Sequence, residues 1–341
     1  MESGALSNFW FFLIAVLWIG YFFLEGFDFG VGILLPILGR DDGDRRVLIN
    51  TIGPVWDGNE VWLVVAGGAT FAAFPGWYAT LFSGFYLPLL LILVALICRA
   101  VAFEFRGKEK SVHWRRWWDR AIFLGGFLPA FLWGMVFADM LLGIPIDRSG
   151  EYAGNVLDLL QPYALLGGVT FLILFTMHGA LFLAIKTKGE IAERARDVAS
   201  RLWPVALIVV FSFLTWSYFN AVTTDYKGLV PDPVPIGGLG AVVAVGWLVR
   251  ERLVGWGFAA TAAAIVLITA TIFLNLYPRL MVSSLSQAYS LTISNTASGP
   301  YALGVMTVVA VIFTPLVIVY QAWTYWIFRK RIGRSDLAGG Y

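Results

Sequence analysis

The chain has 341 residues, of which 59% are hydrophobic and only 13% charged, and its mean hydropathy is +0.77. Soluble domains usually carry about 25% charged residues, so this composition excludes a soluble protein and indicates one that crosses a membrane several times. A single cysteine, Cys98, excludes an internal disulfide and a thiolate zinc cluster. The formal net charge of +2 says little by itself, and we expect no nucleic-acid partner.

Hydropathy predicts nine membrane spans within a single integral membrane domain, 1–341, because a spanning helix needs roughly 20 mainly apolar residues. The N-terminal segment has no basic residue ahead of its first apolar stretch, so we expect that stretch to be retained as a helix rather than removed as a signal peptide. The seventh span is short and rich in glycine. The predicted limits are 8–38, 52–74, 77–103, 119–142, 161–185, 202–222, 236–250, 256–276 and 300–328.

The basic residues predict an orientation. Most of the 24 Lys and Arg lie in alternate connections, those after spans one, three, five and seven, and in the C-terminal tail. The opposite connections hold only Arg148, Lys227 and Arg279. The positive-inside rule therefore predicts an N-terminus outside and a C-terminus in the cytoplasm. The connection at about 223–235 is short, so no large extracellular element is expected there.

Two acidic motifs lie inside the predicted spans. Glu25 and Asp28 are in span one, and Asp57 and Glu60 are in the first turns of span two. Each pair is three residues apart and so shares a helix face. A charge at membrane depth costs at least a few kcal/mol and is usually retained for a task such as moving protons or ions. The two motifs therefore indicate a component of a proton- or ion-handling membrane machine.

Both acidic pairs also have a structural alternative. Glu25 and Asp28 could be protonated or salt-bridged groups that only fix helix packing. Asp57 and Glu60 follow a helix-start proline, Pro54, where acids favour the helix dipole. For these four residues both interpretations stay open at the level of sequence.

Three further polar residues lie in predicted spans. Arg99, near the cytoplasmic end of span three, either extends to the interface or neutralises one of the four acids. Asp139 lies near the outer end of span four, where an interfacial position is favoured. His178 in span five could supply at most one axial ligand, and His113 is in a basic loop, so we expect this chain to hold no haem and no metal.

Motifs spread over nearly the whole chain match a known family. They are 25–32 (EGFDFGVG), Arg45-Arg46 with Ile49-Asn50, 54–63 (PVWDGNEVWL), 67–73, 82–86, Arg99, Trp114-Arg115, Trp118-Asp119 and 320–325. With these residues the chain resembles subunit II of the cytochrome bd-type quinol oxidases.

The resemblance implies an all-α polytopic membrane protein, with its nine helices arranged as two four-helix bundles plus one extra helix. It implies a haem-bearing subunit I that holds two b-type haems, haem d or its variant, and the quinol site. One or two small single-helix subunits, lipid and quinol are further expected partners, in a bacterial or archaeal cytoplasmic membrane. The complex would oxidise quinol and reduce dioxygen to water with cytoplasmic protons, generating proton motive force. Some relatives hold a structural quinone in this subunit, and no motif decides whether this chain does.

The resemblance also carries roles by position. Trp56 and Asp57 match a tryptophan–aspartate pair whose aspartate is implicated in the proton route through the subunit interface. Asp28 and Arg99 match positions in the same cytoplasmic half, with less defined roles. Glu25 and Glu60 stand where relatives can carry other polar residues.

We therefore expect a haem-free subunit that stabilises subunit I and lines a cytoplasmic proton path. Two rivals remain, a stand-alone secondary transporter that uses the acids as ion ligands and a purely structural subunit. The expected path consists of Asp57, Asp28, Glu25 and Glu60, and the ion-pair or interface candidates are Trp56, Arg99, Asn59 and Asp119.

Overall fold

The computed structural model describes residues 3–223 and 233–339. These ranges are mostly helical, as the sequence predicts, and contain one short two-stranded antiparallel sheet formed by β1 (Arg279–Met281) and β2 (Leu291–Thr292). The α-helices are α1 (Ser3–Leu38), α2 (Asp42–Ile52), α3 (Trp56–Ala73), α4 (Pro75–Gly84), α5 (Tyr86–Phe105), α6 (Val112–Leu142), α7 (Pro162–Lys186), α8 (Glu190–Thr223), α9 (Pro233–Arg250), α10 (Val254–Leu276), α11 (Ile293–Thr296) and α12 (Pro300–Ile327).

Among the described helices, eight are long and apolar enough to cross a membrane, namely α1, α5, α6, α7, α8, α9, α10 and α12. The short, glycine-rich seventh span corresponds to α9, which is one of the eight. The second predicted span corresponds to α3, which is not, because Asp57, Asn59 and Glu60 make its first turns polar. The chain is thus a multi-pass membrane protein, and the ninth span stays a prediction.

The third predicted span, 77–103, is divided into α4 and α5. Phe85 leaves the helical conformation, with φ −99° and ψ 26°. Pro88 follows in the first turn of α5 and has no N–H with which to continue the helix back to the Gly84 carbonyl. The break thus follows from the local sequence.

Helix α2 precedes the second predicted span and was not predicted from the sequence. Asp41 caps this helix by accepting a hydrogen bond from the Asp44 backbone N–H at 2.9 Å. Its 11 residues are too few and too polar to resemble a span. It places a row of charged residues at the end of the molecule where α3 begins.

Helix α1 is the central element and packs against α3, α6, α7 and α10. Its crossing with α7 depends on two glycines, since a Cβ atom on Gly179 would lie 2.6 Å from the Gly30 Cα. Helix α12, in contrast, lies at the periphery with most of its side chains exposed. Near the start of α12, Trp10 of α1 donates to the Thr307 hydroxyl at 3.0 Å.

The basic connections meet at one end of the molecule, which we call the basic end (40–46, 106–120, 186–201 and 329–336). Asp44 of α2 accepts from Arg194 at 2.7 Å and from Arg334 at 2.6 Å. Burial by itself raises the pKa of Asp44, but the hydrogen bonds from these two guanidiniums outweigh it, so the pKa lies below its ordinary value. These ion pairs join loops that the charge pattern assigned to one side of the membrane. Lys227 and most of the predicted 223–235 connection lie outside the described residues.

Candidate functional site

A fully buried arginine holds the carboxylates of two helices. Arg99 of α5 has no exposed surface and forms an ion pair with Glu25 of α1, which is also fully buried. The same guanidinium lies 3.1 Å from the Glu60 carboxylate of α3. Its carbon lies 5.0 Å from the centre of the Phe29 ring, a cation–π distance. The sequence alternative in which Arg99 neutralises an acid is therefore the one found.

Close helix packing puts the arginine in this position. Gly125 of α6 faces Arg99, and a Cβ atom there would lie 3.1 Å from the Arg99 Cγ and 2.9 Å from the Ala95 carbonyl. A larger residue would push α5 away from α6 and withdraw the guanidinium from α1. A glycine in the middle of a membrane helix thus has a direct role in assembling the charged cluster, by which we mean Arg99, Glu25 and Glu60 with the neighbouring Asp28 and Asn59.

A second part of the cluster is centred on Asn59. Its side-chain amide donates to the Asp28 carboxylate at 2.6 Å, and both residues are fully buried. The Asn59 carbonyl oxygen accepts from Gln321 at 2.8 Å and from the Tyr325 hydroxyl at 2.7 Å. Three helices, α1, α3 and α12, therefore meet at one amide.

Asp57 lies apart from these contacts. It is exposed and lines a groove of about 790 Å³ between α1, α3 and α12. Most of the lining is apolar, as in Val61, Val65 and Phe313, and polar groups such as Gln321 lie toward the basic end. Asp57 and Glu60, which share a face by spacing, are thus directed to different neighbours.

The remaining predicted site residues lie beside the cluster rather than in it. Trp56 packs on Phe103 with ring centres 5.1 Å apart. Asp119, which is 7% exposed, accepts from Arg45 at 2.8 Å and from Arg106 at 2.6 Å. Asp119 therefore belongs to the ion-pair network of the basic end.

Two other buried polar residues have different surroundings. The His178 ring stacks on Phe258, and its Nδ1 is 2.6 Å from the Thr261 hydroxyl, which gives it a packing role between α7 and α10. Asp139 is fully buried, unlike its expected interfacial position, and neither carboxylate oxygen has a hydrogen-bond partner in the described part of the chain. Over the same residues, no group of three or more His, Cys, Asp or Glu is arranged to hold a metal ion.

Neither Gln321 nor Tyr325 was predicted from the sequence as a site residue. Both lie in α12, an apolar helix in which the spacing of polar residues gives no reason to expect a buried partner. The signal that could have found them is the recurrence of polar groups at Gln321, Thr324 and Tyr325 on one side of α12. These residues would have been candidates for a contact with the polar start of α3.

Comparison with known proteins agrees with this architecture. The family model described as cytochrome bd terminal oxidase subunit II matches residues 6–328. The chain is 42% identical over 333 residues to cytochrome bd ubiquinol oxidase subunit 2 of Bacillus subtilis (strain 168), covering 98% of both chains. It is 36% identical to cytochrome bd-I ubiquinol oxidase subunit 2 of Escherichia coli (strain K12), covering 99% of this chain and 98% of the relative.

The fold is also similar to a solved structure. A chain in the structure of the bd oxidase from Geobacillus thermodenitrificans superposes with a TM-score of 0.74. The match covers 96% of this chain and 100% of that chain, at 18% sequence identity. At this identity the likeness shows the fold alone.

Proposed function

The chain belongs to the cytochrome bd terminal oxidase subunit II family, and from this premise we propose that it is the haem-free partner of subunit I in a quinol:dioxygen oxidoreductase. In this proposal it stabilises subunit I, which carries the haems, and provides a path for protons from the cytoplasm. Small single-helix subunits, lipid and quinol complete its surroundings in a bacterial or archaeal cytoplasmic membrane. Membership of this family does not favour the stand-alone transporter.

The proposed arrangement has nine spans, with α3 as the ninth, the N-terminus outside and the basic end in the cytoplasm. Supporting it, α3 runs from the basic end alongside α1 and ends next to α4, whose sequence continues into α5. Helices α1, α3, α5 and α6 form one proposed four-helix bundle and α7 to α10 the other, with α12 as the extra helix. The few contacts of α12 with the rest of the chain support its separate position.

The observation that carries the proton path is the buried cluster of acids next to a groove that begins at the basic end. Asp57 lines the groove and would take up protons, while Asp28 and Glu25 lie inside the helix packing. Gln321 lines the groove and also contacts Asn59, which contacts Asp28, so polar groups connect the groove with the interior. Carboxylates at membrane depth are suited to taking up and passing on protons.

The chemistry asked of this chain is limited to protons. Reduction of dioxygen to water consumes protons where the haems of subunit I supply electrons. Glu25 forms an ion pair with Arg99, which favours its charged form. Asp28, in contrast, has only the neutral Asn59 amide as a hydrogen-bond partner over residues 3–223 and 233–339. Asp28 is therefore the interior group best placed to change protonation.

The test is Asp57→Asn and Asp28→Asn in the complete oxidase complex. We expect each variant to assemble with an unchanged haem spectrum and to reduce oxygen more slowly, because the acid that carries the proton is gone. Glu109→Gln is the matched control, since Glu109 is an exposed acid in a loop of the basic end. Wild-type oxygen consumption by both Asp variants, with intact haem spectra, would leave only the structural role.

A further inference from the structure

The Asn59 amide has all of its acceptor capacity occupied. A carbonyl oxygen has two lone pairs, and the Asn59 Oδ1 accepts from Gln321 Nε2 at 2.8 Å and from the Tyr325 hydroxyl at 2.7 Å. Its Nδ2 donates to Asp28 Oδ2 at 2.6 Å. The oxygen and nitrogen of an amide are assigned from such networks, and here the Asp28 carboxylate, which when ionised can only accept, places the amide nitrogen beside it.

We propose that Gln321 and Tyr325 are positioning residues, which hold the Asn59 amide in the orientation that donates to Asp28. If the amide rotated by half a turn, its NH₂ group would face the Gln321 amide group and the Tyr325 hydroxyl, and its oxygen would face the Asp28 carboxylate. The Asn59 oxygen would then be a buried acceptor facing the ionised carboxylate, another acceptor, and Gln321 and Tyr325 would have to reorient their own groups to accept rather than donate. The pair on α12 thus keeps a donor beside Asp28.

The position of the pair makes the interaction dependent on α12. This helix contacts the rest of the chain sparingly, and the two side chains reach inward from it to a residue with no exposed surface. A small displacement of α12 away from α3 would remove both donors together. Docking of α12 and the hydrogen bonding of Asp28 are therefore coupled.

The charged neighbours of Asp28 do not replace this contact. Glu25 lies on its own helix, Glu60 comes from α3 and Arg99 from α5, and their mutual ion pairs leave Asp28 out. Asp28 Oδ1 has no hydrogen-bond partner among the described residues. The Asn59 amide is thus the one described side chain that donates to Asp28, and its orientation matters for any proton that Asp28 holds.

The experiment is a double-mutant cycle in the complete oxidase complex, with Tyr325→Phe and Gln321→Leu combined with Asp28→Asn. We expect each α12 variant to lower kcat about fivefold, the factor for one neutral hydrogen bond, with an unchanged KM for quinol. In the Asp28→Asn background the same changes should add nothing, because their effect passes through Asp28. Tyr301→Phe is the matched control, since Tyr301 is an exposed tyrosine at the start of the same helix.

The effect on turnover rests on the proposed proton path, so the outcomes are separated. If Asp28→Asn slows turnover but Tyr325→Phe does not, or if their effects simply multiply, the positioning role is overturned while the path stands. If Asp28→Asn leaves turnover at the wild-type level, the part of the path through Asp28 fails, and Asp57→Asn decides whether any path remains. The positioning role is then judged from the thermal unfolding midpoints of the same cycle, where coupling between Tyr325 and Asp28 supports it and additivity overturns it. If Gln321→Leu does not assemble, Tyr325→Phe carries the test, because it removes a single oxygen atom.

Discussion

The guanidinium of Arg99 on α5 lies 3.1 Å from the Glu60 carboxylate on α3, and Glu60 is the partly exposed member of the cluster, with 22% of its side chain accessible. The other carboxylate partner, Glu25 of α1, is fully buried. One cation therefore joins three helices, and its ion pairs connect Glu25 in the interior with Glu60 at the surface.

Arg99→Ala should strongly reduce the yield of assembled complex. The change leaves Glu25 buried without its cation, and breaking a buried pair in this way costs about 3–5 kcal/mol. The measurement is the amount of haem-containing complex purified from equal membrane mass. Arg116→Ala, at an exposed position, should give the normal yield. The double variant Arg99→Met with Glu25→Met should recover much of the loss, since neither charge is then buried alone. A normal yield from Arg99→Ala alone would contradict the structural ion pair.

Asp44→Asn should lower the free energy of unfolding near neutral pH by about 2 kcal/mol, because the hydrogen bond from Arg194 loses its charged acceptor. Since the pKa of Asp44 in the folded chain lies below its ordinary value of 3.8, its contribution is present above that pH and is lost as the pH falls through the folded value. The difference between wild type and variant should therefore shrink in acid. Unfolding midpoints at several pH values measure this, and a constant difference down to strongly acidic pH would contradict it.

Gly30→Ala should destabilise the packing of α1 on α7. The added Cβ atom would lie 2.8 Å from the Gly179 Cα and even closer to the Phe175 carbonyl, so the helices must separate. Overpacking of this kind typically costs about 1–3 kcal/mol. Gly67→Ala is the matched control, because a Cβ atom there meets no atom within 4 Å. Thermal unfolding of both variants checks the prediction, which fails if the two behave alike.

Asp139→Asn should leave assembly and thermal stability at the wild-type level or above it. Neither Asp139 oxygen has a partner within the described ranges, so the amide replaces a buried acid of nearly the same shape with a neutral group. Asp119→Asn, on the same helix, should destabilise, because Asp119 accepts from Arg45 and Arg106. Unfolding midpoints of the pair are the measurement. A marked loss of stability in Asp139→Asn would mean that the carboxylate has a partner in the complex.

Hydropathy predicted most of the fold because apolar length is the strongest signal that a membrane chain carries. It missed α2, whose 11 residues are polar and short, and the division of the third span at Phe85. The limits of α6 and α8 extend beyond the predicted spans, since their first turns are charged and lie outside the apolar stretch. Hydropathy indicates which part of a helix lies in the membrane, and it does not indicate where the helix itself begins or ends.

The site was predictable only in part. Spacing placed Glu25 and Asp28 on one face, and the choice for Arg99 between interface and acid was correctly defined. Spacing could not tell that Asp57 and Glu60 have different neighbours, because that depends on where α5 and α12 pack against α3. Tyr325 and Asn59 are 266 residues apart in the sequence, so no local sequence pattern indicates that they are in contact.

The contacts of α12 have a consequence for the biogenesis of the chain. Among the described α-helices α12 comes last along the chain, yet it supplies the acceptor for Trp10 of α1 and both donors to the Asn59 oxygen. Just beyond it, Arg334 completes the ion pairs of Asp41 and Asp44 near the first loop. The partners of these early residues are therefore synthesised only with α12 and the segment after it, so a chain that stops before α12 would leave Trp10, Asn59 and Asp44 without these contacts.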